Sequence, residues 1–149
     1  MISASAPASE SAGTQNESPG LDGRFVAAAA VYAIFLLLLG QRPAVEISKL
    51  DWAGFLAGGD KIAHGAAYCI LGALVWRAQV PRSRKLSAFT SHPAISTVLL
   101  VAMWGGLDEL SQGLANRGRS MSIFDLLADT SGALVALAAA AWFRRDSKH

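Results

Sequence analysis

The stretch FVAAAAVYAIFLLLLG, residues 25–40, contains no charged residue and no helix breaker before its final glycine. It stops at Gln41, Arg42 and Pro43, and proline cannot continue a helix without losing a backbone hydrogen bond. At 1.5 Å per residue the stretch falls slightly short of the roughly 20 residues that cross about 30 Å of hydrocarbon, so flanking side chains or a thinner bilayer would complete the crossing. The stretch predicts a membrane-spanning helix.

Three further apolar segments follow along the chain, at about residues 58–76, 94–114 and 123–143. Hydrophobic residues make up 52% of the sequence and charged residues only 16%, which leaves too few polar side chains to cover a soluble domain. The sequence therefore predicts an all-α, polytopic membrane protein, in which residues 24–145 form a bundle of four transmembrane helices.

The first 23 residues differ from the rest of the chain in composition. They are rich in serine, alanine, glycine and proline, and they include the acidic residues Glu10, Glu17 and Asp22. Such a segment has too little apolar surface to offset the entropy of ordering, and it predicts a disordered tail rather than a basic secretory signal. The net charge of +2 and the dispersed basic residues argue against a nucleic-acid partner, and the single cysteine, Cys69, excludes an internal disulfide.

Lysine and arginine are distributed unequally between the two sides that this topology defines. Eight lie on the side of the termini and of the loop between the second and third segments: Arg24, Arg77, Arg82, Arg84, Lys85, Arg144, Arg145 and Lys148. Five lie on the other side: Arg42, Lys49, Lys61, Arg117 and Arg119. Because positive charge marks the cytoplasmic side, we expect a protein of the cytoplasmic membrane with both termini in the cytoplasm.

Polar residues lie near one end of the second, third and fourth segments, on the predicted outer side. The set comprises Asp60, Lys61, His64, Tyr68, Asp108, Glu109, Gln112, Arg117, Arg119, Ser120, Asp125 and Asp129. Four-residue spacing puts Asp60 and His64 on one helix face, and Asp108 and Gln112 on another. Ionisable residues inside a membrane are costly and usually face a bundle interior or a wet cavity, so the set predicts a site.

Structural roles compete with this interpretation at three positions. Asp60 follows two glycines and would serve as a helix N-cap. Ser122 and Asp125 have the spacing of a capping box, with aspartate in place of glutamate. His64 would be a buried histidine bonded to Asp60. Asp129 lies too deep in the fourth segment to be a cap.

The glycines and tryptophans of the segments favour packing roles. Gly65, Gly72, Gly105, Gly106 and Gly132 would let helices approach each other closely. Trp76, Trp104 and Trp142 are typical of interface anchors or packing groups rather than of ligand platforms.

The order of the polar residues resembles that of the VanZ-like membrane proteins, whose pattern reads D-K-x-x-H-x-x-x-Y, then D-E-x-x-Q, then R-x-x-x-x-x-D-x-x-x-N-x-x-G. The resemblance covers about residues 58–134 and implies a small multi-helix membrane fold. Through the founding members of the family, the resemblance implies a role in low-level resistance to teicoplanin, a lipoglycopeptide that acts outside the cytoplasmic membrane. This chain departs from the pattern at Asp129, where the family has asparagine, and the added negative charge would alter a preference for cations or phosphate.

The first functional hypothesis is an enzyme or lipid-handling protein at the outer face of the membrane. Basic side chains would hold a phosphate-bearing head group, His64 with Asp60 would move a proton, and carboxylates would act as general bases or bind a divalent cation such as Mg²⁺. The catalytic candidates are Asp60, His64, Asp108, Glu109 and Asp125. The ligand-binding candidates are Lys61, Tyr68, Gln112, Arg117, Arg119, Ser120 and Asp129.

The second hypothesis is a non-enzymatic accessory protein of the cell envelope. Its polar residues would bind an antibiotic or a cell-wall precursor, or would only order the helices through buried ion pairs. A transporter is a third and weaker alternative, because four helices without an inverted repeat are few for alternating access.

Overall fold

A computed structural model of the chain describes residues 21–42, 59–80, 92–115 and 121–146. These residues form four helices: α1, Gly23–Gly40; α2, Gly59–Gln79; α3, Pro93–Ala115; and α4, Ile123–Asp146. Each end lies within three residues of the predicted one, and the all-helical class is confirmed for the described residues. The predicted tail up to residue 20 and the loop residues Arg117, Arg119 and Ser120 lie outside them.

Successive helices run antiparallel to each other. This is shown by contacts at the end of the bundle where α1 begins. The backbone N–H of Asp22, the N-cap of α1, donates to the carbonyl of Ala78 near the end of α2, at 3.0 Å. The Gln79 side-chain amide donates to the Thr97 hydroxyl at 3.0 Å, which joins the end of α2 to the start of α3. The end of α1, the start of α2, the end of α3 and the start of α4 therefore share the other end of the bundle, here called the polar end.

Three of the described helices, α1, α3 and α4, are long and apolar enough to cross a membrane. Large apolar side chains on their surfaces are exposed, among them Val31, Leu99 and Val135. Helix α2 has 21 residues and is not one of the three, since its ends carry Asp60, Lys61 and Arg77. The finding supports a membrane protein with three apolar helices, which is one fewer than the sequence predicts.

Glycine allows α2 and α4 to pack closely, and these two helices make the most extensive contact in the bundle. A Cβ atom on Gly132 would overlap the carbonyl oxygen of Gly65, and one on Gly72 would lie 3.0 Å from the Cα of Ala133. Gly106 is different, because a Cβ there would meet no described atom within 4 Å. The predicted packing role is confirmed for the first three glycines and is wrong for Gly106.

Aromatic side chains complete the core at the middle of the bundle. Tyr68 is buried between the helices together with Leu71, Val101 and Ala133. The indole N–H of Trp104 donates to the carbonyl of Ala33 at 3.1 Å and so joins α3 to α1. The core ends directly below the polar end, where the buried residues become acidic.

Candidate functional site

The polar end contains eight of the predicted site residues, which we call the polar cluster. They are Lys61, His64, Tyr68, Asp108, Glu109, Gln112, Asp125 and Asp129. Four are carboxylates, and each of these carboxylate residues is at most 7% exposed. Burial of this kind requires compensation by hydrogen bonds or opposite charges, so each partner has to be identified.

His64 and Asp129 form the most buried ion pair of the cluster. The His64 Nδ1 atom lies 2.9 Å from Asp129 Oδ1, and the two side chains are 12% and 0% exposed. The sequence had paired His64 with Asp60 on its own helix. The structure gives His64 a partner on α4. The side chain of Asp60, in the first turn of α2, lies outside the described part, so its pairing with His64 stays a prediction.

Gly105 on α3 makes room for this pair. A Cβ atom at position 105 would lie 2.7 Å from Asp129 Oδ2. The sequence assigned Gly105 to helix packing only, and its neighbour Gly106 received the same assignment. Which of the two glycines faces a carboxylate depends on the rotation of α3, and no local motif encodes that rotation.

Lys61 and Asp125 form a second ion pair at the rim of the cluster. Their Nζ and Oδ1 atoms are 3.4 Å apart, and the side chains are 49% and 9% exposed. The lysine thus connects a buried carboxylate to the surface of the bundle.

The capping box predicted at the start of α4 is formed differently from the prediction. The backbone N–H of Asp125 donates to the Ser122 hydroxyl at 3.3 Å, as a capping box requires. The reciprocal bond is made by Glu109 of α3, whose Oε2 accepts from the Ser122 N–H at 2.7 Å. Ser122 is therefore the cap, and the carboxylate of Asp125 pairs with Lys61.

Asp108 lies on the α1 side of the cluster. The Tyr68 hydroxyl donates to its Oδ2 at 3.2 Å, and the Tyr68 ring lies parallel to that of His64. A Cβ on Gly40 would lie 2.9 Å from the Gln112 side-chain nitrogen, so the end of α1 covers this side closely. The approach of α1 to the polar cluster was not predicted, because in the sequence Gly40 only marks the end of an apolar run.

Gln41 is a second contribution from α1 that the sequence did not predict. Its side-chain amide donates to the Ser111 hydroxyl at 2.7 Å, and that hydroxyl donates to the Asp108 carbonyl at 2.7 Å. The end of α1 is thereby tied to α3 beside the cluster. All four helices contribute to the polar end, whereas the sequence predicted three.

Several buried polar atoms of the cluster make no hydrogen bond to a described residue. They include Oε1 of Glu109, Oδ2 of Asp129 and the side-chain nitrogen of Gln112. In addition, one potential ligand atom each of His64, Glu109 and Asp125 lies within 4.8 Å of the others. The arrangement is suited to acid–base chemistry and to binding a cation.

Comparison with known proteins gives one match. The profile of the VanZ/LLP1 family matches residues 6–144. Neither the curated proteins nor the solved structures provide a match to this chain. Because the family profile spans nearly the whole sequence, including all four helices and the polar cluster, the chain belongs to the VanZ/LLP1 family.

Proposed function

We propose that this protein binds the phosphate-bearing head group of a lipid or envelope component at the outer face of the cytoplasmic membrane and carries out acid–base chemistry on it. The observation that carries the proposal is a buried His64–Asp129 pair close to a half-exposed lysine, within a bundle that has apolar outer faces. A polar site of this kind suits an amphiphilic ligand.

Lys61 supplies the anion-binding group. Its ammonium group is paired with only one described carboxylate and is exposed enough to contact a phosphate as well. Exposed apolar side chains lie beside it in the sequence and at the start of α4, namely Ile62, Ile123 and Phe124. A head group would lie against Lys61 while its acyl chains lie along these side chains.

His64 supplies the proton-transfer group. The Asp129 carboxylate orients the imidazole, as the carboxylate partner of a general acid–base histidine does. Glu109 and Asp125 lie near the imidazole and would stabilise positive charge that develops there. Asp60 is retained as a further candidate from the sequence.

The first prediction concerns Lys61. The Lys61→Met variant, in nanodiscs of phosphatidylcholine, is expected to bind a fluorescent short-chain phosphatidic acid roughly tenfold more weakly, because a charge-assisted hydrogen bond contributes about 1.5–3 kcal/mol. The matched control is Arg145→Met, which removes an exposed cation at the opposite end of the bundle. Equal affinities of both variants and of the unmodified protein would contradict the role of Lys61.

The proposed topology has four crossings, with both termini in the cytoplasm. Helix α2 is long enough for a crossing, about 31 Å at 1.5 Å per residue. Its buried polar side chains, such as His64 and Gln79, contact α4 and α3 rather than the surroundings of the bundle. The excess of positive charge on the side of the termini supports their cytoplasmic location.

The second prediction tests this topology. In a Cys69→Ser background, Ser120→Cys is expected to react with a membrane-impermeant thiol reagent in sealed spheroplasts, whereas Ser83→Cys is expected to react only after lysis. The two positions lie in loops on opposite predicted sides. The reverse pattern would place the polar end in the cytoplasm and would exclude an outer-face ligand.

An accessory protein without enzymatic activity is the second candidate function. It is favoured by the bond from Ser122 to Glu109 and by that from Tyr68 to Asp108, each of which joins two helices. In this case the cluster would order the bundle, and the exposed surface would serve resistance to teicoplanin or another envelope function. A variant that keeps the fold but loses head-group binding would argue against it.

A further inference from the structure

We infer that His64, Glu109 and Asp125 form a binding site for a divalent transition-metal ion, for which Mn²⁺ is the best match. One potential ligand atom of each residue lies within 4.8 Å of the other two, although the residues belong to three different helices. Three ligand atoms bound to one ion at about 2.0–2.2 Å lie roughly 3–4.4 Å from one another. Separations of up to 4.8 Å therefore require the side chains to move closer together before all three atoms bind one ion.

Glu109 provides independent support for a ligand. The residue is 2% exposed, and its Oε1 atom is buried without a hydrogen-bond partner among the described residues. Its other oxygen accepts from the Ser122 N–H, which fixes the carboxylate in place. A buried carboxylate oxygen without a partner is costly, and a bound cation removes that cost.

Asp129 acts on the same site through His64. Histidines that bind metals commonly donate a ring N–H to a carboxylate, which fixes the tautomer and makes the imidazole a better ligand. The 2.9 Å contact between His64 Nδ1 and Asp129 Oδ1 has this form. Asp129 is thus a positioning residue for His64.

The donor set determines the class of metal. From the sequence, the oxygen ligands favoured Mg²⁺ or Ca²⁺ over Zn²⁺, because one histidine and no accessible cysteine are few ligands for zinc. The structure brings an imidazole nitrogen together with two carboxylates, and imidazole is a poor match for Mg²⁺ and Ca²⁺. Mn²⁺ binds both carboxylate and imidazole ligands in the cores of helix bundles, so it fits the mixed set better than Mg²⁺ or Ca²⁺ does.

The inference rests on the proposed function in one respect, which is the role of the ion; while the ion is bound His64 is a ligand, and the proton transfer proposed for it belongs to the ion-free protein. An ion between Glu109 and Asp125 would neutralise buried negative charge and leave Lys61 available to an incoming phosphate. The ion and the lysine would then hold the same head group from two sides. Binding of the ion itself requires no lipid ligand and is measured separately.

The third prediction is Mn²⁺ binding by the full-length protein in phosphatidylcholine nanodiscs, measured as the loss of the free Mn²⁺ signal in electron paramagnetic resonance. We expect about one ion per chain, retained in the presence of excess Mg²⁺, as one three-ligand site implies. Glu109→Gln, which keeps an acceptor for the Ser122 N–H, and Asp125→Asn are each expected to weaken binding at least roughly tenfold. Asp146→Asn, an exposed change at the other end, is the control and should bind normally.

Two results would overturn the inference. In the first, the unmodified protein would cause no loss of the free Mn²⁺ signal. In the second, both ligand variants would bind Mn²⁺ as well as the Asp146→Asn control does. Circular dichroism of each variant checks that weak binding does not result from a lost fold. The lipid titration, repeated with EDTA, separates the two proposals. Lysine-dependent binding of phosphatidic acid without Mn²⁺ binding would refute the metal site alone, whereas Mn²⁺ binding without lipid binding would refute the proposed function alone.

Discussion

Gly132→Ala is expected to separate α2 from α4 and to lower the free energy of unfolding by about 3 kcal/mol, the upper end of the usual range for overpacking. The added methyl group would overlap the Gly65 carbonyl oxygen and crowd the Cys69 backbone nitrogen. These are backbone atoms of a helix, which cannot rotate away as a flexible side chain can. The measurement is unfolding of the purified protein in mixed micelles with increasing SDS, followed by circular dichroism.

Gly106→Ala is the matched control for this change. It makes the same substitution in a helix interior, but its Cβ would meet no described atom within 4 Å. It should leave the stability unchanged or increase it by up to about 1 kcal/mol, because alanine is the better helix former. A similar loss of stability in both variants would show that contact between α2 and α4 does not account for the effect, because the higher helix propensity of alanine can only favour the helices.

His64→Leu is expected to cost about 3–5 kcal/mol of stability, because it leaves Asp129 buried without the partner that its charge requires. The double variant His64→Leu/Asp129→Leu removes both members of the pair and should be more stable than the single variant. The same SDS titration measures four proteins: the unmodified protein, the single variants His64→Leu and Asp129→Leu, and the double variant. Additive losses in the double variant would mean that the two side chains contribute independently, contrary to the 2.9 Å contact.

The double variant also separates the two candidate functions. If the polar cluster only orders the bundle, a folded double variant should bind both phosphatidic acid and Mn²⁺ as the unmodified protein does. If His64 and Asp129 serve the site, the folded variant should still bind phosphatidic acid through Lys61 but should no longer retain Mn²⁺. Loss of stability alone in His64→Leu supports neither function, because a broken buried pair is destabilising in both cases.

The helices could be predicted from the sequence because their signals are local. An uncharged run that ends at Gly40, just before Arg42 and Pro43, and a serine followed by a periodic apolar segment mark helix ends without reference to other parts of the chain. The residues of the cluster could also be identified, since charge inside an apolar segment is costly wherever the segment packs. Neither signal depends on how the helices are arranged.

The pairing within the cluster could not be predicted, because it depends on how the helices are rotated against each other. The bond between His64 and Asp129 joins two helices, and residue spacing within α2 carries no information about it. The local capping pattern suggested Asp125, but Glu109 completes the cap from α3. The different surroundings of Gly105 and Gly106 also depend on helix rotation, because among the described residues only Gly105 faces a neighbouring helix.

The close fit of α2 against α4 has a consequence for the order in which the protein is assembled. Helix α2 is less apolar than the other three and lacks the composition of an independent span, whereas α4 follows it in the chain by a whole helix. During synthesis, α2 leaves the ribosome before the partner for Gly65 and His64 exists. Its proposed crossing would therefore become stable only after α4 has been made, so that the second helix of the chain enters the lipid last.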